Sequence, residues 1–216
     1  MRNTSNASHY DVLIATIGTS MTNGYVESLT KTIEELTLQG MSYRWLNGFG
    51  SLDHNAREST LTGNGLNLNP NDKGPLGDRY TYKKIIWIAP NISWTVKNFM
   101  KLYEADDAVV TGAYLLADGV TTTIKRDMSN VCLSKGQILQ LKSSGKKQSI
   151  LSTKFGFLAV KSGVYEKIDR PWHVVFNGLE TEEDSWCMKV RDAGFDVKLD
   201  PTVLVEAAAS GEIKWK

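Results

Sequence analysis

Cysteine is nearly missing from this sequence of 216 residues. Cys132 and Cys187 stand far apart, with no C-x-x-C spacing. That excludes a disulfide scaffold, argues against a structural zinc site and favours a reducing compartment. Histidine is as scarce: His9, His54 and His173 are too scattered for a His-rich metal centre. Charge of one sign is lacking too. The 25 basic and 24 acidic residues leave +1, so no overall field favours nucleic acid or an anionic membrane. No apolar run approaches the ~20 residues of a membrane helix. The start, MRNTSNASHYD, has no apolar h-region and does not read as a signal peptide. Residues 1–9 are expected to be a flexible lead-in, residues 10–216 a single domain, and the location cytoplasmic. Internal repeats and low-complexity tracts are absent.

What the chain does contain is the alternation of an α/β domain. DVLIATIG (Asp11–Gly18) is a continuous apolar run ended by glycine, the pattern of a central parallel strand. Val26, Leu29, Ile33 and Leu36 then recur at helical spacing, with Gly40 as the stop. MSYRWLNGFG reads as a second strand. SLDHNARESTL reads as a short helix capped by Ser51 or Asp53. A long Gly/Asn/Pro-rich loop follows, TGNGLNLNPNDKGPLGDRY. KKIIWI is the third strand, and SWTVKNFMKLYEADD a helix capped by Ser93 or Thr95. AVVTGAYLL is another strand. From Ala117 to Ser152 the sequence reads as short strands and polar turns with a flexible basic piece, KSSGKKQS. KFGFLAVKSGVYEKI reads as strand, turn and helix. ETEEDSWCMKVRDAGF is a helix with acids in its first turn, and DVKLDPTVLVEA a closing strand pair. The expected architecture is an αβα sandwich around a mostly parallel sheet. Its ligand cleft would lie at the carboxyl ends of the strands, after Ile17, Asn47, Ile88 and Tyr114.

Taken in order from Tyr10 to about Ala207, these stretches resemble a GT-A glycosyltransferase of the small, single-domain, family-2-like type. HNARES is similar to the Arg-bearing helix before the metal strand, and KKIIWIAPNISW to the strand that usually ends in Asp-x-Asp. FGFLAVKSGVYEKIDRPW resembles the glycine-aromatic strand, and ETEEDSWCMKVRDAGF the acidic-pair helix with its AGF stop. The resemblance implies a Rossmann-like fold, a nucleotide-sugar donor and a carbohydrate or other hydroxyl acceptor, with no nucleic acid. It also implies Mn²⁺ or Mg²⁺ on the Asp-x-Asp motif, holding the diphosphate and offsetting charge on the leaving group.

Here the chain departs from the pattern. Ala89 and Asn91 stand where the two metal aspartates would be, with Pro90 between them. Ala207 stands where a metal-ligating His often follows the closing strand; a slip of one would offer Glu206 instead. Asn91, with one neutral carbonyl oxygen, is a degenerate ligand and Glu206 a weak one. Two ligand positions blank together are what loss of a metal centre looks like, so the ion is either missing or held by other ligands.

The resemblance implies further roles, each beside a plainer reading. Among Glu182, Glu183 and Asp184, Asp184 is the favoured general base, with Glu183 its neighbour; acids there would also simply complement the helix dipole. Arg57 could contact the donor diphosphate or base, or be a surface arginine. Thr16, Gly18 and Thr19 could bind the nucleobase, or form an ordinary strand–helix turn. Trp94 could stack on a sugar, or be buried on the following helix; Trp172 and Trp186 invite the same two readings. Lys142, Lys146 and Lys147 could close over phosphates, or be a solvated loop. Two functions follow: hexosyl transfer if the chain catalyses, or an inactive GT-A-like binding module or metal-site-disabled enzyme.

Overall fold

The computed structural model of the chain describes residues 8–50, 52–63, 74–77, 80–129, 131–176, 178–179, 181–209 and 211–213. Its plan follows from strands buried on both sides. In β1 (Ser8–Ile17), Val12 and Ile14 enter one core while Leu13 and Ala15 enter another. The chain continues through α1 (Asn23–Leu38), β2 (Tyr43–Gly48), α2 (Asp53–Thr62), β3 (Tyr80–Ile88), β4 (Ile92–Ser93), α3 (Val96–Glu104) and β5 (Val109–Ala113). There follow β6 (Thr121–Lys125), β7 (Cys132–Ser134), α4 (Lys135–Ser144), β8 (Gln148–Ser149) and β9 (Phe157–Lys161). The last elements are α5 (Glu182–Asp192), β10 (Val197–Leu204), β11 (Glu206–Ala209) and β12 (Gly211–Ile213).

The main sheet runs β2-β1-β3-β9-β5-β10-β8. β1 is parallel to β2 and β3, and β10 is parallel to β5; β9 lies antiparallel between β3 and β5, and β8 antiparallel at the edge. Helices α1 and α3 cover one face with Tyr25, Leu36, Phe99 and Leu102. Helices α2, α4 and α5 cover the other with Leu61, Ile138, Trp186 and Val190, joined by Tyr165 and Trp172. The α/β class and the mostly parallel central sheet are therefore observed. Among the described residues no helix is long and apolar enough to cross a membrane.

Side-chain caps set most helix starts. Thr22, Thr95 and Thr181 accept from the main-chain N–H groups of Tyr25, Asn98 and Asp184. The expected cap on α2 is not there: Leu52 holds the cap position without a side-chain bond, and Asp53 is the first helical residue. Ser51, the other candidate, lies outside the described residues, as do residues 1–7 of the expected lead-in and residues 64–73 of the Gly/Asn-rich loop. Ser8 and His9 of that lead-in belong to β1.

Helix α4 occupies a region read as turns and flexible chain. Its capping box, Ser134 with Gln137, was legible, but Ile138 is its one fully buried residue, so the apolar period is faint. Lys142 is in its last turn rather than in a loop. Beyond β9 the expected helix is a three-residue 3₁₀ turn, Tyr165–Lys167. Of the closing pair, β10 joins the main sheet, while β11 leaves it to pair with β4 and β12.

Gly112 lets β5 and β10 approach. A β-carbon there would lie 2.7 Å from Val203 Cγ1 and 2.9 Å from the Val203 carbonyl oxygen. Gly112→Ala should therefore lower the urea-unfolding free energy by about 1–3 kcal/mol, the usual cost of overpacking. An unchanged midpoint would mean that the two strands part at no cost.

Candidate functional site

The tip of β3 is closed by main-chain bonds. Ala89 N donates to Gly156 O (2.9 Å) and Ile92 N to Ala89 O (3.0 Å). Thr22 N donates to Pro90 O (3.0 Å), and Ala208 N to Asn91 O (2.8 Å). Through β4 and β11, Ala207 faces Ile92 and Glu206 faces Ser93. The two blank positions of the sequence thus belong to one place in space. Ala207 is buried and Ala89 packs against the same core, whereas Asn91 is exposed. Because Ala207 turns inward, strand alternation turns Glu206 away from that core. A hard divalent cation needs several oxygen ligands, usually carboxylates. One amide and one carboxylate directed by a different strand do not fit it. Among the described residues, no three His, Cys, Asp or Glu side chains gather as a metal-ligand set.

The densest polar grouping lies beside this tip, between α2 and α5. Arg57 is buried, pairs with Glu182 and stands 3.6 Å from Glu183 through Nη2. Its guanidinium lies over the Phe155 ring, 4.9 Å from the centroid. Glu182 is flanked by His54 Nδ1 at 3.8 Å and His173 Nδ1 at 3.7 Å. His173 donates its main-chain N–H to Glu58 (3.0 Å), and its Nε2 is 3.4 Å from the Tyr165 hydroxyl. That hydroxyl accepts from the Trp87 indole at 3.0 Å. Burial depresses the His173 pKa to about 4, against an opposing pull from Glu182. Burial alone would raise Glu182, but His173 and Arg57 bring its carboxyl below the usual range. Tyr114, at the carboxyl end of β5, is pushed up to about 12 by burial, with Glu183 adding to the rise, so its phenol stays protonated. Its ring packs so closely on Gly156 that a β-carbon there would collide with it.

Asp184 is held differently. It accepts from Lys125 Nζ (2.9 Å) and Ser152 Oγ (2.5 Å). Burial would raise its pKa, but these two bonds outweigh burial and lower it. The favoured base of the sequence reading is therefore a brace between α5 and β6.

The other candidate residues fall in varied surroundings. Thr16 is buried, its hydroxyl bonded to the Tyr25 phenol. Gly18 donates to Gly48 O (3.1 Å) at φ 142°, and a β-carbon on it would stand 3.2 Å from Pro90. It thereby brings the ends of β1 and β3 together. Thr19 is exposed at the rim. Trp94 does not offer a face to a sugar: it is buried, donates to Thr32 Oγ1 (2.9 Å) and packs edge-on against Tyr25. Trp172 and Trp186 are fully buried and equally unavailable. Arg57 is no surface arginine. Tyr114, Phe155, His54 and His173 were not among the expected site residues. The one signal for His173 was its position directly after RPW. A cavity of about 660 Å³ lies elsewhere, on the far side of α5, where Ile168, Phe176 and Met188 line it.

No protein family and no curated protein matches the chain by sequence. Among solved structures it is similar to A197 from STIV, at 12% identity over 92% of this chain and 85% of that one, with a TM-score of 0.56. At that identity the likeness is one of fold. A catalytic domain of Drosophila β1,4-galactosyltransferase 7, solved with xylobiose, is similar at 11% identity over 89% of this chain and 65% of that one, with a TM-score of 0.48.

The buried imidazole gives a pH signature. His173 takes up its proton at about pH 4 when folded and at its ordinary 6.5 when unfolded. The unfolded state therefore binds more protons between these values, and stability falls as pH drops through that window, by on the order of 3 kcal/mol in all. Glu182, with its depressed pKa, loses its contribution only below about pH 4.5, so the two windows overlap only between about pH 4.5 and 4. His173→Gln should flatten the unfolding free energy between about pH 6.5 and 4. A slope unchanged in the variant would assign the titration to another group.

Proposed function

We propose that this chain is a glycosyltransferase-like protein. In this reading it binds a nucleotide-sugar donor at the carboxyl edge of its sheet and passes the sugar to an acceptor hydroxyl, without a divalent cation at the β3 tip. The observation that carries this reading is a convergence. Arg57 and the acidic turn of α5, 125 residues apart in sequence, meet beside the strand tip where the resemblance expects the donor. Tyr114 joins them from the carboxyl end of β5.

The chemistry asks for two things. A nucleoside diphosphate leaves as a multiply charged anion, which needs hydrogen-bond donors. With no fitting cation ligands among the described residues, Arg57 and the protonated Tyr114 phenol are donors beside the tip. The acceptor hydroxyl must also lose a proton to a positioned carboxylate. Asp184 is committed to Lys125 and Ser152. Glu183 stands against Arg57 without such a pair of donors, and the geometry favours it as the base. One observation favours the second reading, a silent binding module: Glu182 already neutralises Arg57 in a buried pair, which leaves less positive charge for a diphosphate.

Calorimetric titration with a panel of nucleotide-sugars, each with and without Mn²⁺, separates these cases. Metal-independent binding of one nucleotide family is expected. Binding only with Mn²⁺ would overturn the assignment of the tip, and silence throughout would overturn donor binding itself. Where transfer is found, Glu183→Gln should lower turnover about 10²–10⁴-fold while donor affinity holds. Asp184→Asn should instead lower the melting temperature. A larger turnover loss in the Asp184 variant would restore it as base. In the opposite direction, Ala89→Asp with Asn91→Asp, which leaves the buried Ala207 in place, should confer Mn²⁺-dependent donor binding. No gain would count against equating these positions with a metal motif.

A further inference from the structure

The near-neutral total conceals a strong local imbalance. Between Lys125 and Lys154 there are seven lysines and arginines against one aspartate, a net +6 in a chain whose total is +1. This stretch forms one lobe at the β10 end of the sheet. β6 pairs with β7, α4 follows β7 directly, β8 pairs with β10, and Lys125 bridges to Ser152. Two of the cations have internal partners, Lys125 on Asp184 and Lys147 on Asp107. Arg126, Lys142, Lys146 and Lys154 are exposed.

Bare apolar side chains belong to the same hairpin and helix. Met128 is 79% exposed and Val131 68%, both where the chain turns from β6 to β7. Val120, Leu116 and Leu139 are also open at the other end of the hairpin and on α4. Uncovered aliphatic residues cost free energy in water and serve no purpose against a phosphodiester chain. The stretch from Lys125 to Lys154 contains no Phe, Tyr or Trp, so it has no stacking surface for bases. Clustered cations with protruding aliphatics instead match the interface of a bilayer bearing anionic lipids. There the cations sit near phosphates and the aliphatics enter the headgroup–acyl boundary.

We infer that the β6–β7–α4 lobe docks reversibly on anionic lipid membranes, with Arg126, Lys142, Lys146 and Lys154 at the headgroups and Met128 and Val131 inserted. Lys125, on the inner side of the same lobe, holds Asp184, so a docked molecule keeps its acidic turn at a fixed place relative to the bilayer.

Co-sedimentation of the full chain with vesicles tests this. Vesicles of phosphatidylcholine mixed with phosphatidylserine should bind it at low salt and release it at high salt, and phosphatidylcholine alone should bind weakly. Each exposed lysine reversed should weaken binding at least about fivefold, so Lys142→Glu with Lys146→Glu should abolish it. Met128→Ser with Val131→Ser should also release the protein, although it leaves every charge in place. All four positions are exposed, and an unchanged far-UV circular dichroism spectrum checks that the variants fold. Absence of binding to the phosphatidylserine vesicles would overturn the inference. So would binding insensitive to the Met128 and Val131 changes, or preference for a duplex oligonucleotide over the vesicles.

Discussion

The ion pair between Arg57 and Glu182 is the interaction on which the rest of the site depends. It ties a helix from the first third of the chain to one from the last, across the face of the sheet that carries Trp87 and Phe155. Taking both charges out of water is costly, and their attraction repays this only with further bonds around them. Those bonds are incomplete: His173 and His54 stand 3.7 and 3.8 Å from the carboxylate, Phe155 takes the guanidinium on its ring and Glu58 fixes the His173 backbone, while Arg57 Nε and His173 Nδ1 are buried without a hydrogen-bond partner among the described residues. Removing Arg57 leaves Glu182 buried beside two imidazoles, and removing Glu182 leaves Arg57 only its longer contact to Glu183; breaking a buried pair typically costs about 3–5 kcal/mol. The pair therefore fixes where Glu183 and Asp184 begin, and hence which acid is committed to a brace.

The neutral strand tip follows a related logic. Carboxylates gathered at one tip repel one another unless an ion lies between them. Ala89, Asn91 and Ala207 carry no charge, and the tip is held instead by main-chain bonds to Thr22, Gly156 and Ala208. With no charged side chains at these positions, the tip depends on backbone pairing.

How much of this was legible depended on the range of the interaction involved. The strands around Ile14 and Ile86 were plain because burial on both faces leaves an uninterrupted apolar run. α1, α3 and α5 were plain because their caps and stops are local. α4 was obscured because one buried isoleucine makes little period. The antiparallel course of β9 left no mark, since a central strand buried on both faces reads alike in either direction. The site was half legible: EED and Arg57 could be singled out, but not their joining through Glu182, nor the arrival of His173 and Tyr114, because nothing local records a contact between distant segments. Trp94 shows the reverse error. An aromatic just past a strand tip invites a ligand, yet its indole N–H finds Thr32, and a buried aromatic with a satisfied donor is core.

Net charge failed for a similar reason. A total of +1 describes the field seen from many Debye lengths away, and at physiological salt that length is about 8 Å. Within it a partner meets only the side chains it touches. The surplus of cations between Lys125 and Lys154 is balanced by acids elsewhere in the chain, including the first turn of α5. Lys125 is where the two distributions meet, because it belongs to the basic lobe by sequence and to the acidic turn by contact. The lobe and the candidate site are therefore one mechanical unit, joined at Asp184 by the Lys125 ion pair and the Ser152 hydroxyl.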